Sequence, residues 1–132
     1  MELKELAKQG NPQAQFELAI QYLQNRDPEG LTWLKEAAKN GHPKAYEVIT
    51  NMNAHNPEDD DKVINMLKKN ADNGDVNSQF ALGVHYEYGH FGLRIDPNEA
   101  LNFYKMAIKN GLKGNNLDFA NDSIVKITGG VK

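Results

Sequence analysis

The chain has 132 residues, 39% hydrophobic and 25% charged, with a formal net charge of −3 and no cysteine. Disulfides, thiolate zinc sites and cysteine nucleophiles are therefore excluded, and no apolar run approaches the ~18 residues of a membrane span. Lysines and carboxylates alternate along most of the sequence, so the basic stripe that a phosphate backbone requires is missing and nucleic acid is not an expected partner.

In chain order, Met1 to Lys8 reads as a half-unit, residues 2–9, packing on the helix that follows. Its charges interrupt what would be the apolar core of a signal peptide, which predicts no export signal and a cytoplasmic protein. Gly10 then opens a pattern that recurs at Gly41, Gly74 and Gly111, spaced by 31, 33 and 37 residues. Periods of this size belong to helical solenoids. Units are predicted over about 10–40, 41–73 and 74–110, within a single repeat domain spanning 1–132.

After each of the first three glycines a cap candidate appears, Asn11, His42 and Asp75, with Pro12 and Pro43 at the first helical position. The first, or A, helix carries Ala14, Phe16, Leu18, Ala19 and Tyr22 in one unit and Ser78, Phe80, Leu82, Gly83 and Tyr86 in another. The middle unit keeps Ala45, Ile49 and Thr50 but places Glu47 and Asn53 where aromatic residues are expected. It reads as a degenerate copy with a more polar surface. Small residues at Ala14, Ala45 and Ser78, and at Ala19, Thr50 and Gly83, predict close approach of the A helix to its partner.

The A-to-B connections repeat Asp27-Pro28-Glu29, Asn56-Pro57-Glu58 and Asp96-Pro97-Asn98-Glu99, each predicting an N-cap, a proline at N1 and acidic residues beside the positive helix end. The run Glu58 to Asp61 is accordingly a helix start. The B helices place Trp33 and Leu34, Met66 and Leu67, and Phe103 and Tyr104 eight and seven residues before the next glycine. Ala37 and Ala38, Asn70 and Ala71, and Ala107 and Ile108 complete an i, i+3, i+4 stripe. Asn40, Asn73 and Asn110 precede glycines suited to a left-handed helix end. Residues 115–128 read as a polar C-terminal capping helix.

Gly74, Asp75, Ser78, Gln79, Phe80, Leu82, Gly83, Tyr86, Gly89, Gly92, Asp96, Ala100, Tyr104 and Ala107 together resemble the Sel1-like repeat, a relative of the tetratricopeptide repeat. Gly10, Ala14, Gln15, Phe16, Leu18, Ala19, Tyr22, Trp33, Leu34, Ala37 and Ala38 form a second match. The resemblance implies an all-α fold, a right-handed superhelical α/α solenoid of about three Sel1-like repeats with terminal capping helices. It also implies a non-enzymatic protein-protein interaction module that holds a protein or peptide on a concave A-helix face. Many family members carry disulfides and an export signal, and this chain shows neither.

By analogy with the tetratricopeptide face, the outward residues are Gln13, Ile20 and Gln24, then Lys44, Glu47 and Asn51, then Asn77, Val84, Glu87 and Tyr88. Tyr88 is the leading candidate contact, because aromatic residues concentrate at binding hot spots. Tyr46 and Phe91 follow. Trp33, Tyr22, Tyr86 and Tyr104 are assigned to the core, and a mean hydropathy of −0.69 leaves no evident apolar pocket.

A narrower reading is an immunity or antitoxin protein of a bacterial toxin pair, whose partner, a toxin or effector, would be basic. The remaining alternative, a metal-dependent enzyme, would require His85, Glu87 and His90 to converge with Asp96 or another carboxylate. An i, i+5 spacing does not align two histidines on one helical face, and Gly89 is expected to end the helix between them. His85 is expected on an exposed flank and His90 in the inserted loop. No catalytic motif is present, so no catalytic residue, metal or cofactor is assigned, and no membrane partner. A monomer is expected, with a homodimer as the alternative if Ile124, Val125 and Ile127 dock on a second chain.

Overall fold

The computed structural model describes residues 2–130, which fold into two compact units, one ending at Asn56 and one beginning at Pro57. The first contains α1 (Leu3–Lys8), α2 (Pro12–Gln24), α3 (Glu29–Lys39) and α4 (Pro43–Asn51). The second contains a 3₁₀ turn (Pro57–Asp59), α5 (Asp60–Asp72), α6 (Val76–Tyr88), α7 (Pro97–Lys109) and α8 (Gly114–Thr128). Within each unit successive helices pack on one another.

A single turn does two jobs at three of the junctions. At the end of α3, Gly41 N–H donates to Ala38 and His42 N–H donates to Ala37, at 3.2 and 2.9 Å. This pair of bonds satisfies carbonyls that the helix leaves orphaned, and it requires the left-handed conformation that Gly41 adopts at φ 103°. His42, the second residue of that motif, is at once the N-cap of α4. The same overlap joins α1 to α2 through Gly10 and Asn11, and α5 to α6 through Gly74 and Asp75. The glycine and the polar residue after it therefore recur as a pair.

Starts of the A helices follow the sequence reading, with Pro12 and Pro43 in the first turn and Asn11 Oδ1 accepting from Ala14 N–H at 3.0 Å. Asp75 differs in detail: its carboxylate accepts from the Ser78 hydroxyl instead of a backbone N–H. Among the B helices only α7 begins as the Asp-Pro signature predicts, with Asp96 capping Glu99 N–H at 3.1 Å. α3 starts later, at Glu29, because Asp27 closes a tight turn through Pro28 with Glu29 N–H on its side chain and Gly30 N–H on its carbonyl. The acidic run does lead into a helix, but through the 3₁₀ turn, so that Asp59 and not Asn56 is the N-cap of α5.

In the first unit Ala7, Ala14 and Leu18 form a buried cluster covered by Leu3, Leu6, Tyr22 and Trp33, which seats α1 on α2. In the second, Phe80, Val84, Ala100, Tyr104, Ala107, Leu112 and Ala120 are buried together, and Leu117, Phe119, Ile124 and Ile127 bring α8 onto that cluster. At Gly83, α6 lies close against Tyr104 of α7. A Cβ there would lie 2.7 Å from two ring carbons of Tyr104.

An amide bridge ties neighbouring helices in each of two repeats. Gln15 donates to the Ala7 carbonyl at 2.9 Å and accepts from Asn40 at 3.0 Å. Gln79 repeats the arrangement with the Ala71 carbonyl and Asn110, both at 3.1 Å. Both glutamines are buried, so these bonds satisfy groups that water cannot reach. In the middle repeat the glutamine position is Tyr46, whose ring packs beside His55 at 5.2 Å between centroids.

Candidate protein-binding face

In the first unit the outward residues come from α2 and α4. Gln24, Lys44, Glu47 and Asn51 are exposed, while Gln13 and Ile20 are half-buried. The two helices are joined at their N-terminal ends: His42 contacts Gln13 Oε1 at 2.9 Å and its ring stacks on Phe16 with centroids 4.2 Å apart. Lys44 and Glu47 approach to 3.7 Å with both side chains 60% exposed. Such a pair is loosely held and contributes little to stability, leaving both groups available to a partner. Tyr46 is half-buried.

In the second unit the expected set divides. Asn77 and Tyr88 are exposed, but Val84 is fully buried in the cluster with Ala100 and Tyr104. The tetratricopeptide register fails there because α6 is covered nearly all round, and every residue from Ser78 to His85 is buried. Glu87 is half-buried and has an internal task, accepting the Tyr104 hydroxyl at 2.7 Å. Burial first, and then the Glu87 carboxylate, hold that hydroxyl well above the usual phenol range.

The histidines also depart from expectation. His85 is not on an exposed flank; it is fully buried. Gly89 ends α6 as foreseen, at φ 72°, yet the left-handed turn it makes brings the His90 ring back to His85, with the Nδ1 atoms 3.4 Å apart. Phe91 is likewise inside and meets His85 edge-on at 4.8 Å, so it is a packing residue and not a loop contact. The inserted loop thus folds over α6, and Asp96 N–H returns to the Tyr86 carbonyl at 2.9 Å. Tyr88 stays outside, 38% exposed, with its ring stacked on His90 at 5.6 Å and 18°.

Among the described residues no three His, Cys, Asp or Glu side chains are placed to hold a metal ion, and no helix is long and apolar enough to cross a membrane. The outer side of α7 carries a shallow depression lined by Glu99, Asn102, Phe103, Lys105, Met106 and Lys109.

Helix pairs closed by a recurring turn and stitched by a recurring amide bridge define an α/α repeat protein. The Sel1 repeat model matches residues 12–42 and 76–112, more than half of the sequence, and the chain belongs to the Sel1 repeat family. Sel1 repeats are generally protein-interaction modules, and the family is typically a non-enzymatic scaffold. No solved structure matches the chain.

Proposed function

We propose that this chain is a non-enzymatic binding module that engages a protein or peptide through Gln13, Ile20, Gln24, Lys44, Glu47 and Asn51 in the first unit and through Asn77 and Tyr88 in the second. The observation that carries the reading is Tyr88. It is a large aromatic side chain left exposed at the end of a buried helix and held by stacking on His90, so little conformational entropy is lost when a partner covers it. Residues 41–73 act in this reading as a degenerate third unit between the two matched repeats. The net charge of −3 favours a basic partner, and a toxin neutralised by tight binding is the narrower form of the same proposal.

Affinity capture of the tagged protein from its native lysate, compared with Tyr88→Ala and Glu47→Lys, tests this. One stoichiometric partner, lost in the variants, is expected, and a toxic partner selects the immunity form. A partner retained by both variants refutes the assigned face.

A further inference from the structure

His42 begins α4, and each of its polar contacts has a direction. Its Nδ1 accepts from Ala45 N–H at 3.2 Å, so the ring proton resides on Nε2. That proton is donated to Gln13 Oε1 at 2.9 Å, and Gln13 Nε2 in turn donates to Glu17 Oε1 at 3.1 Å. The ring lies on Phe16 at an interplanar angle of 17°. We propose that His42 is an acid-sensitive latch that fastens α4 to α2 within the first unit, released when Nδ1 is protonated.

A proton on Nδ1 would point at the Ala45 N–H, turning an N-cap into two opposed donors. Charged groups on the neighbouring helices do little to offset this. Glu17 on α2 favours the imidazolium, acting past Gln13. On α3, Glu36 and Lys39 hold each other at 2.9 Å, and on α4, Lys44 and Glu47 face each other at 3.7 Å. Burial outweighs both a backbone hydrogen bond at His42 and the Glu17 charge, which favour the imidazolium, and lowers the His42 pKa to about 4. Because the folded value lies below the ordinary 6.5, the stabilisation is complete above that pH and is lost as pH falls from there towards 4. Asn11, which fills the same position in α2, has no such dependence. If the binding face proposed above is correct, Lys44, Glu47 and Asn51 ride on the latched helix, and acid loosens their presentation.

The test uses the full chain and does not need a partner. His42→Asn keeps a capping acceptor without a titrating group, and His42→Ala removes both. Urea unfolding is followed by Trp33 fluorescence from pH 7.5 to 4.5, alongside the NMR titration of the His42 ring and the exchange protection of the Ala45 amide. The wild-type folding constant is expected to fall roughly 10- to 100-fold relative to His42→Asn over this range. The ring should titrate below pH 5 with Ala45 protection falling in parallel, and His42→Ala should already be weaker at pH 7.5. Equal pH dependence in wild type and His42→Asn overturns the proposal, as does a His42 ring titrating near 6.5. Should His42→Asn fail to fold, the ring titration and Ala45 protection of the wild type decide alone.

Discussion

Gly83→Leu probes a close contact between α6 and α7 in the second unit. An added Cβ would sit 2.7 Å from Cδ1 and Cε1 of Tyr104 and 3.2 Å from Cγ, against an optimum of about 3.5 to 4.0 Å between carbons. Tyr104 has little freedom to yield. It is fully buried, its ring lies 6.0 Å from that of Phe80, and its hydroxyl is held by Glu87. Overpacking of this kind costs about 1 to 3 kcal/mol, and in Gly83→Ala about 1 kcal/mol returns through helix propensity. The alanine variant should therefore be near neutral to about 2 kcal/mol less stable, and the leucine variant, with three further carbons, should reach about 3 kcal/mol. In urea, monitored by far-UV circular dichroism, that is a fall in midpoint of about 1 M or more. Combining Gly83→Ala with Tyr104→Leu removes the ring atoms in the way, so the double variant should be more stable than the two single losses sum to. An unchanged midpoint for Gly83→Leu would show that α6 and α7 can separate freely there and would refute the reasoning.

Gln79→Ala removes a bridge to the Ala71 carbonyl and the Asn110 amide, but that carbonyl keeps its bond from Gly74 N–H and Asn110 is exposed, so the loss should be about 1 kcal/mol by urea unfolding; no measurable loss would mean that water replaces the bridge. Gly74→Ala meets no atom within 4 Å but must hold φ near +93°, so a loss of about 1 kcal/mol is expected, with Gly74→Asn losing less. Equal losses would point to something other than backbone conformation. Tyr104→Phe should cost about 1 to 2 kcal/mol at neutral pH. It should also remove an alkaline limb: the folded hydroxyl is held above its ordinary value of 10.0, so wild-type stability is full below that pH and falls as pH rises beyond it. Parallel alkaline profiles for wild type and Tyr104→Phe would contradict this.

The repeat was legible because its signals are local. A glycine that must take a positive φ, a cap residue after it and an apolar stripe before it are each readable within one turn, and they place α2, α4, α6 and α7 nearly as observed. The outward face was only half legible, because exposure depends on what comes back over a helix from elsewhere in the chain. Val84 occupies an outward position by analogy, yet it sits against Ala100 and Tyr104. His85 is covered because the residues after Gly89 reverse onto it, which no i, i+5 argument within a helix can anticipate. The amide bridges could have been found: Gln15 and Gln79 each stand five residues after a repeat glycine, and Asn40 and Asn110 each stand one before the next.

The middle repeat departs from its neighbours in several respects at once. α4 carries Tyr46 where α2 and α6 carry Gln15 and Gln79, so the amide that bonds both a carbonyl and an asparagine is replaced by a phenol. α4 is also short, nine residues against 13 in α2 and α6, and it ends on Asn53 at φ 54°, as α2 ends on Arg26 at φ 57°, where α6 has Gly89. With fewer turns to bury, it keeps Ala45 and Ile49 inside and leaves Lys44, Glu47 and Asn51 in solvent. Its N-terminal anchorage to α2 is made by the His42 ring, with a bond to Gln13 and a stack on Phe16. In the proposal made above, a helix that presents Lys44, Glu47 and Asn51 to solvent is fastened to α2 by a contact that a single proton breaks, so the departure of this repeat from its neighbours is concentrated where a dissimilar surface and a releasable one coincide.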